Sequence, residues 1–152
     1  MEVPTVLRRH GMPFEVHHHA PVFDAQHLAQ ECHAPGQNVV KPVLVCLGAT
    51  YVLCVVPAHR RVDLDKVARA MNAESARLAS ENELGHIFRD VELGAEPPFG
   101  KPYGLPTLMD RTLRDNEYVV FQAGTHSVSI RMLRADYERV AEPVVADIIR
   151  VP

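Results

Sequence analysis

The sequence predicts a mixed α/β (α+β) domain with an antiparallel-rich sheet and helices interspersed among its strands. Three observations point there. Residues 39–47 and 51–56 are β-branched apolar runs joined across Gly48-Ala49-Thr50, the pattern of a hairpin. Segments with helical spacing of apolar residues and recognisable caps fall between the strand-like runs. Residues 127–132 alternate Val128, Ile130 and Met132 against Ser127, Ser129 and Arg131, as a strand with one wetter face does.

In chain order, residues 5–10 read as a short helix ended by Gly11, and 14–18 as a strand. Residues 24–32 read as a helix with Asp24 as its cap. The 39–47 and 51–56 pair lacks polar alternation, so both strands should be covered on both faces. Asp63 caps a helix whose Leu64, Val67, Ala68 and Met71 fall at i, i+3, i+4 and i+7. Ser80 and Glu83 form a capping box for a helix carrying Leu84, Ile87 and Phe88. Prolines 97, 98, 102 and 106 and glycines 94, 100 and 104 then make a long loop, a common home for function. Strands come next at 107–110, 118–123 and 127–132, the last two joined by Gly124-Thr125-His126. Residues 133–140 read as a helix and 144–149 as an apolar closing segment. No linker or repeat divides the chain, so residues 1–152 are expected to form one domain.

Composition narrows the function. Hydrophobic residues make up 47% of the 152, which fits a packed core. No apolar run approaches a bilayer span, so no membrane role is expected. Met1-Glu2-Val3-Pro4 does not open a signal peptide. Cys32, Cys46 and Cys54 are odd in number and two lie in apolar runs, which suits reduced thiols and a cytoplasmic location. A net charge of −3 argues against gripping nucleic acid by bulk charge. Local basic pieces remain at Arg8-Arg9, Arg60-Arg61 and Lys101 with Arg111 and Arg114.

Metal and nucleophile signals are weak. His17-His18-His19 point to alternating faces in an extended segment, and Cys32-His33 cannot easily share one ion. Cys46 and Cys54 belong to core strands; Cys32 is the thiol expected to be exposed, with no base beside it. No nucleophile elbow and no Gly-rich phosphate loop is present. What stands out is Lys41, a lysine inside the apolar strand. Lysine is almost never fully buried without a partner, so its ammonium either reaches water or faces a cleft that holds an anion. Two glycine loops, 94–100 and 123–126, supply backbone amides that a ligand can approach closely.

Taken in order, Lys41 in its strand, the Gly-x-x-x-Pro of Gly94 to Pro98, Pro98-Phe99-Gly100, Asp110 and Ala123-Gly124-Thr125-His126 resemble the YbaK-like aminoacyl-tRNA deacylases. These are similar to the editing domain of bacterial prolyl-tRNA synthetases. The resemblance runs from about His19 to about Met132. It implies a curved, largely antiparallel sheet with packed helices. It also implies a trans-editing hydrolase that removes a wrong amino acid, alanine or cysteine on proline tRNA in the common case. By the same resemblance Lys41 and Gly94 would be catalytic: the lysine on the aminoacylated end, the Gly94 amide on the ester. His19, Pro98, Gly100, Gly124, Thr125 and His126 would bind substrate. No cofactor and no metal is implied. The implied partners are the tRNA 3′ acceptor end and, beyond it, an aminoacyl-tRNA synthetase. The alternative is a non-catalytic module of the same fold that binds a tRNA end or a nucleotide. Two departures stand out. Pro42 follows Lys41 where many members carry a hydroxyl residue, which suggests distortion or a sheet edge. The histidine triplet surrounds the family's common histidine, placed at His19.

Overall fold

The computed structural model describes the backbone of residues 1–152 and every side chain except that of Ala25. Helix α1 (Val3–Arg9) starts two residues earlier than the sequence suggests, because Pro4 is at home in a first turn, where its missing N–H goes unused. Strand β1 (Glu15–His18) and α2 (Ala25–Glu31) follow, the Asp24 side chain accepting the His27 N–H at the helix start. Strands β2 (Val40–Cys46) and β3 (Tyr51–Pro57) form the expected hairpin, Lys41 opposite Val56. Asp63 caps α3 (Leu64–Ala70), and Ser80 with Glu83 closes a capping box on α4 (Glu81–Ile87). Between them lies a two-residue strand, β4 (Arg77–Leu78). Strands β5 (Thr107–Asp110), β6 (Tyr118–Gln122) and β7 (Val128–Leu133), helix α5 (Arg134–Ala141) and strand β8 (Val144–Ala146) complete the chain.

The strands divide into two sheets. One has the order β1-β7-β6 and is antiparallel throughout. The other has the order β4-β2-β3-β5-β8, antiparallel on the β2 side and parallel from β3 through β8. A single parallel bridge between Val39 and Val120 links the two. The β2–β3 pair is covered on both faces, which explains its unbroken apolar runs. On one face Val40 and Val55 join Phe99, Phe121, Ile130 and Tyr137 in the largest core cluster. On the other, Val45, Val52, Cys54 and Val56 pack with Val67, Leu108 and Ile148.

One edge of the larger sheet is only partly covered. Strand β4 pairs with β2 only at Val45 and Cys46, which leaves the backbone from Lys41 to Val43 without a strand neighbour on that side. The Leu44 carbonyl accepts the Ala79 N–H, so the even-numbered residues of β2 turn their backbone groups away from β3. Pro42 belongs to that set. Its missing N–H therefore costs the β2–β3 ladder nothing, and the strand stays regular where the sequence allowed a distortion.

Candidate functional site

A cleft of about 600 Å³ opens along the bare edge of β2. Because the edge is uncovered, both strand faces contribute: Lys41 and Val43 from one, Pro42 and Leu44 from the other. The opposite wall comes from Leu93, Gly94 and Glu96, and the rim from Phe23 and Leu84. Lys41 and Gly94, far apart in sequence, thus line one cleft.

Lys41 is half-buried and, among the described residues, joins no ion pair. Burial holds its ammonium below the usual lysine range, and the nearby Arg61 cation pushes the same way. The neighbourhood therefore disfavours the charge unless an anion arrives. Arg61 is itself exposed, which makes the Arg60-Arg61 piece the basic pair nearest the cleft lysine.

The Gly94 loop is held from behind by most of the other expected residues. Gly94 has φ +91, which favours glycine, and a Cβ there would also crowd His126 Cε1 at 3.3 Å. Gly124 donates to the Ala95 carbonyl at 2.9 Å and accepts the Glu92 N–H at 2.8 Å. The Pro98 carbonyl accepts the buried Tyr137 hydroxyl at 2.5 Å. Gly100 donates to Thr107 Oγ1 at 2.9 Å, and a Cβ at Gly100 would meet the Leu105 carbonyl at 2.6 Å.

His126 differs from its expectation. A turn histidine should be exposed, yet it is 8% exposed, with Nε2 2.9 Å from the Leu93 carbonyl and Nδ1 3.1 Å from the Val22 carbonyl. Its ring also packs against Phe23, centroids 4.4 Å apart. Both ring nitrogens face backbone carbonyls, and a single ring N–H can donate to one of them, so His126 packs between the Val22 and Leu93 segments and does not line the cleft. His19 sits apart as well, bound to Ser129 Oγ at 2.7 Å and the Ala20 carbonyl at 2.8 Å. Thr125 Oγ1 lies within the turn, 3.4 Å from the Ser127 N–H. The structure therefore brings Lys41 and Gly94 to the cleft. It places Pro98, Gly100, Gly124 and His126 in its support, and His19 and Thr125 outside its lining.

Cys32 also departs from expectation. As the residue ending α2 it is buried against Val22, Leu28, Val39 and Val120, and burial pushes its thiol up. Cys54 is pushed up to about 12 by burial, and all three cysteines are free and buried. None suits a nucleophile. Among the described residues, no group of three or more His, Cys, Asp or Glu side chains is placed to hold a metal ion. Among them, too, no helix is long and apolar enough to cross a membrane.

Two cleft residues are not singled out by the sequence. Phe23 is 76% exposed, and an aromatic two residues after Pro21, next to the capping Asp24, was the available signal. Glu96 is 7% exposed and accepts the Gly94 N–H on Oε1 at 3.0 Å. An acidic residue between the loop's glycine and its prolines was the signal there.

Comparison with known proteins identifies the family. Residues 19–140, most of the chain, match the model of the aminoacyl-tRNA editing domain. The multifunctional Ser/Thr-tRNA deacylase ProXp-y of Escherichia coli (strain K12) is 32% identical over 94 residues, 61% of this chain and 56% of that protein. The matched segment thus spans little more than half of that relative. A solved structure described as that of a proposed trans-editing enzyme for prolyl tRNA synthetase superposes with a TM-score of 0.87 at 23% identity, covering 98% of this chain and 95% of the other. A second, of a hypothetical protein, gives 0.90 at 19% identity over 99% and 100%. At those identities the likeness speaks for the fold, which is the mixed α/β fold expected. The cleft, the loop and the family match converge: this chain belongs to the aminoacyl-tRNA editing domain family.

Proposed function

We propose that the protein is a trans-editing deacylase that hydrolyses the ester between a wrong amino acid and the 3′-terminal adenosine of a tRNA. The observation that carries this is the meeting of an unpaired, half-buried Lys41 and the Gly94 loop in one cleft of a chain from this family. Phe23 at the rim offers a face on which an unstacked base can rest, the usual means of holding single-stranded RNA. With a net charge of −3, contact confined to the acceptor end fits better than a grip on the tRNA body. A synthetase partner would then help deliver the tRNA, in a cytoplasmic setting.

The chemistry needs little from the protein. Water adds to the ester carbonyl carbon, the bond to the ribose oxygen breaks, and the free amino acid and the tRNA hydroxyl leave. Lys41 fixes the phosphate side of the terminal nucleotide, and the Gly94 amide polarises the carbonyl. Editing is needed because a synthetase pocket separates side chains differing by one methylene by only about 1–3 kcal/mol. Alanine or cysteine on proline tRNA is the first expected substrate. The name of the Escherichia coli relative favours a second reading, serine or threonine esters.

The test is deacylation of tRNAs charged with alanine, cysteine, serine and threonine, with Lys41→Ala as control. Wild type should release one or more of these at least about 100-fold faster than the variant, the scale of losing one electrostatic stabiliser. Equal inertness of both on every charged tRNA would sink the reading in favour of a binding module.

A further inference from the structure

The Glu96 carboxylate is buried and lines the cleft beside Gly94. Its one hydrogen-bond partner among the described residues is the Gly94 N–H, at 3.0 Å to Oε1. No lysine, arginine or histidine among the described residues forms an ion pair with it. A buried carboxylate ordinarily has a cation partner, because one neutral hydrogen bond does not replace the water it has lost. The other acids lining the cleft differ: Asp24 is engaged by His27, and Glu81 stands exposed on α4.

We infer that Glu96 binds the α-ammonium group of the aminoacyl ester, and that the site therefore selects esters with a free amine. In an α-amino ester the ammonium and the carbonyl oxygen are separated by two carbons and present a donor beside an acceptor. Gly94 N–H and the Glu96 carboxylate present the converse, an acceptor beside a donor, 3.0 Å apart. A bound ester can exchange that internal pair for two contacts of its own. Its carbonyl takes the Gly94 N–H, its ammonium takes Glu96, and no buried group is left unpaired. The same cleft holds a cation at Lys41, so its charges suit a ligand that is negative at its phosphate and positive at its amine. Phe23 and Leu84 carry no charge, so Glu96 is the buried anion beside the Gly94 amide.

This inference rests on the deacylase reading, and its test separates the two. Binding of a non-hydrolysable, amide-linked 3′-alanylamino-adenosine is compared by calorimetry with its des-amino counterpart, for wild type and Glu96→Gln. In parallel, alanyl-tRNA and N-acetyl-alanyl-tRNA are offered as substrates. Wild type should bind the amine-bearing analogue at least about tenfold more tightly, the scale of one charge-assisted hydrogen bond. It should cleave the free ester faster by a similar factor in kcat/KM. Glu96→Gln should bind and cleave both forms alike, its loss confined to the amine-bearing one. Equal binding of the two analogues by wild type, or a preference unchanged in Glu96→Gln, overturns the role of Glu96. Should Glu96→Gln fail to fold, the wild-type ratio alone decides. Failure to cleave any ester, with the binding ratio intact, overturns the deacylase reading and leaves Glu96 as an amine receptor.

Discussion

Lys66 and Lys41 are both partly buried lysines on regular elements, and their surroundings are opposite. Lys66 Nζ donates to both oxygens of Asp147, at 3.0 and 3.1 Å, and to the Ile149 carbonyl at 2.9 Å. Every hydrogen of that ammonium has an acceptor, and the link ties α3 to the segment after β8. Lys41 has no such set among the described residues, and its surroundings push its charge away. A lysine with all its partners is a fastening. A lysine without them weakens the fold while it is charged, and on the proposed function it is kept there for a ligand.

The largest effect that tests this contrast is at Lys41. Lys41→Met should lower deacylation about 100-fold or more while leaving thermal stability unchanged or slightly raised. The sign comes from the direction of the shift. A lysine lowered in the folded state weakens folding while it is protonated, and that penalty disappears as pH rises through the folded value toward the ordinary 10.5. A fall in melting temperature would mean Lys41 has a structural partner after all. A second experiment gives Lys41 the partner it lacks. Val43 lies two residues on and on the same strand face, so Val43→Glu places a carboxylate beside the ammonium. Activity should fall about tenfold, and an NMR titration should show the lysine moving back up toward its usual range.

The smallest effect belongs to the fastening. Lys66→Met should cost about 1 kcal/mol of stability, because the pair is only partly buried, with deacylation unchanged at permissive temperature. Asp147→Asn should also be destabilising, and its pH profile carries the check. Asp147 is held below the ordinary carboxyl value of 3.8 by its bond to Lys66, so its contribution is complete above that value and lost as pH falls through the lower one. Urea midpoints of wild type and Asp147→Asn should therefore converge in strong acid. A constant gap would place the stabilisation elsewhere.

The same contrast separates what a sequence reveals from what it hides. Local signals survive folding unchanged: Asp24, Asp63 and the Ser80–Glu83 box cap the helices they were expected to cap. So does burial when it leaves a pattern, as in the unalternating runs of β2 and β3. Lys41 was legible as an anomaly because a charge in an apolar run demands a reason. What fails is anything fixed by a distant partner. His126 is buried by the carbonyls of Val22 and Leu93, 104 and 33 residues away. Cys32 is buried by Val39 and Val120. Two-residue β4 and parallel β8 exist only because the sheet offers them an edge. Glu96 bonds its own near neighbour, so its contact was local while its burial left no sequence pattern.

The uncovered stretch of β2 has a further consequence, for the protein's solubility. A bare strand edge is open to another polypeptide, and unpaired strand edges are where folded proteins begin to aggregate. Here the open stretch carries Pro42, which has no N–H to offer an incoming strand, next to Lys41, whose charge a second sheet would have to bury. Together they let the edge stay bare while refusing an added strand from a neighbouring molecule.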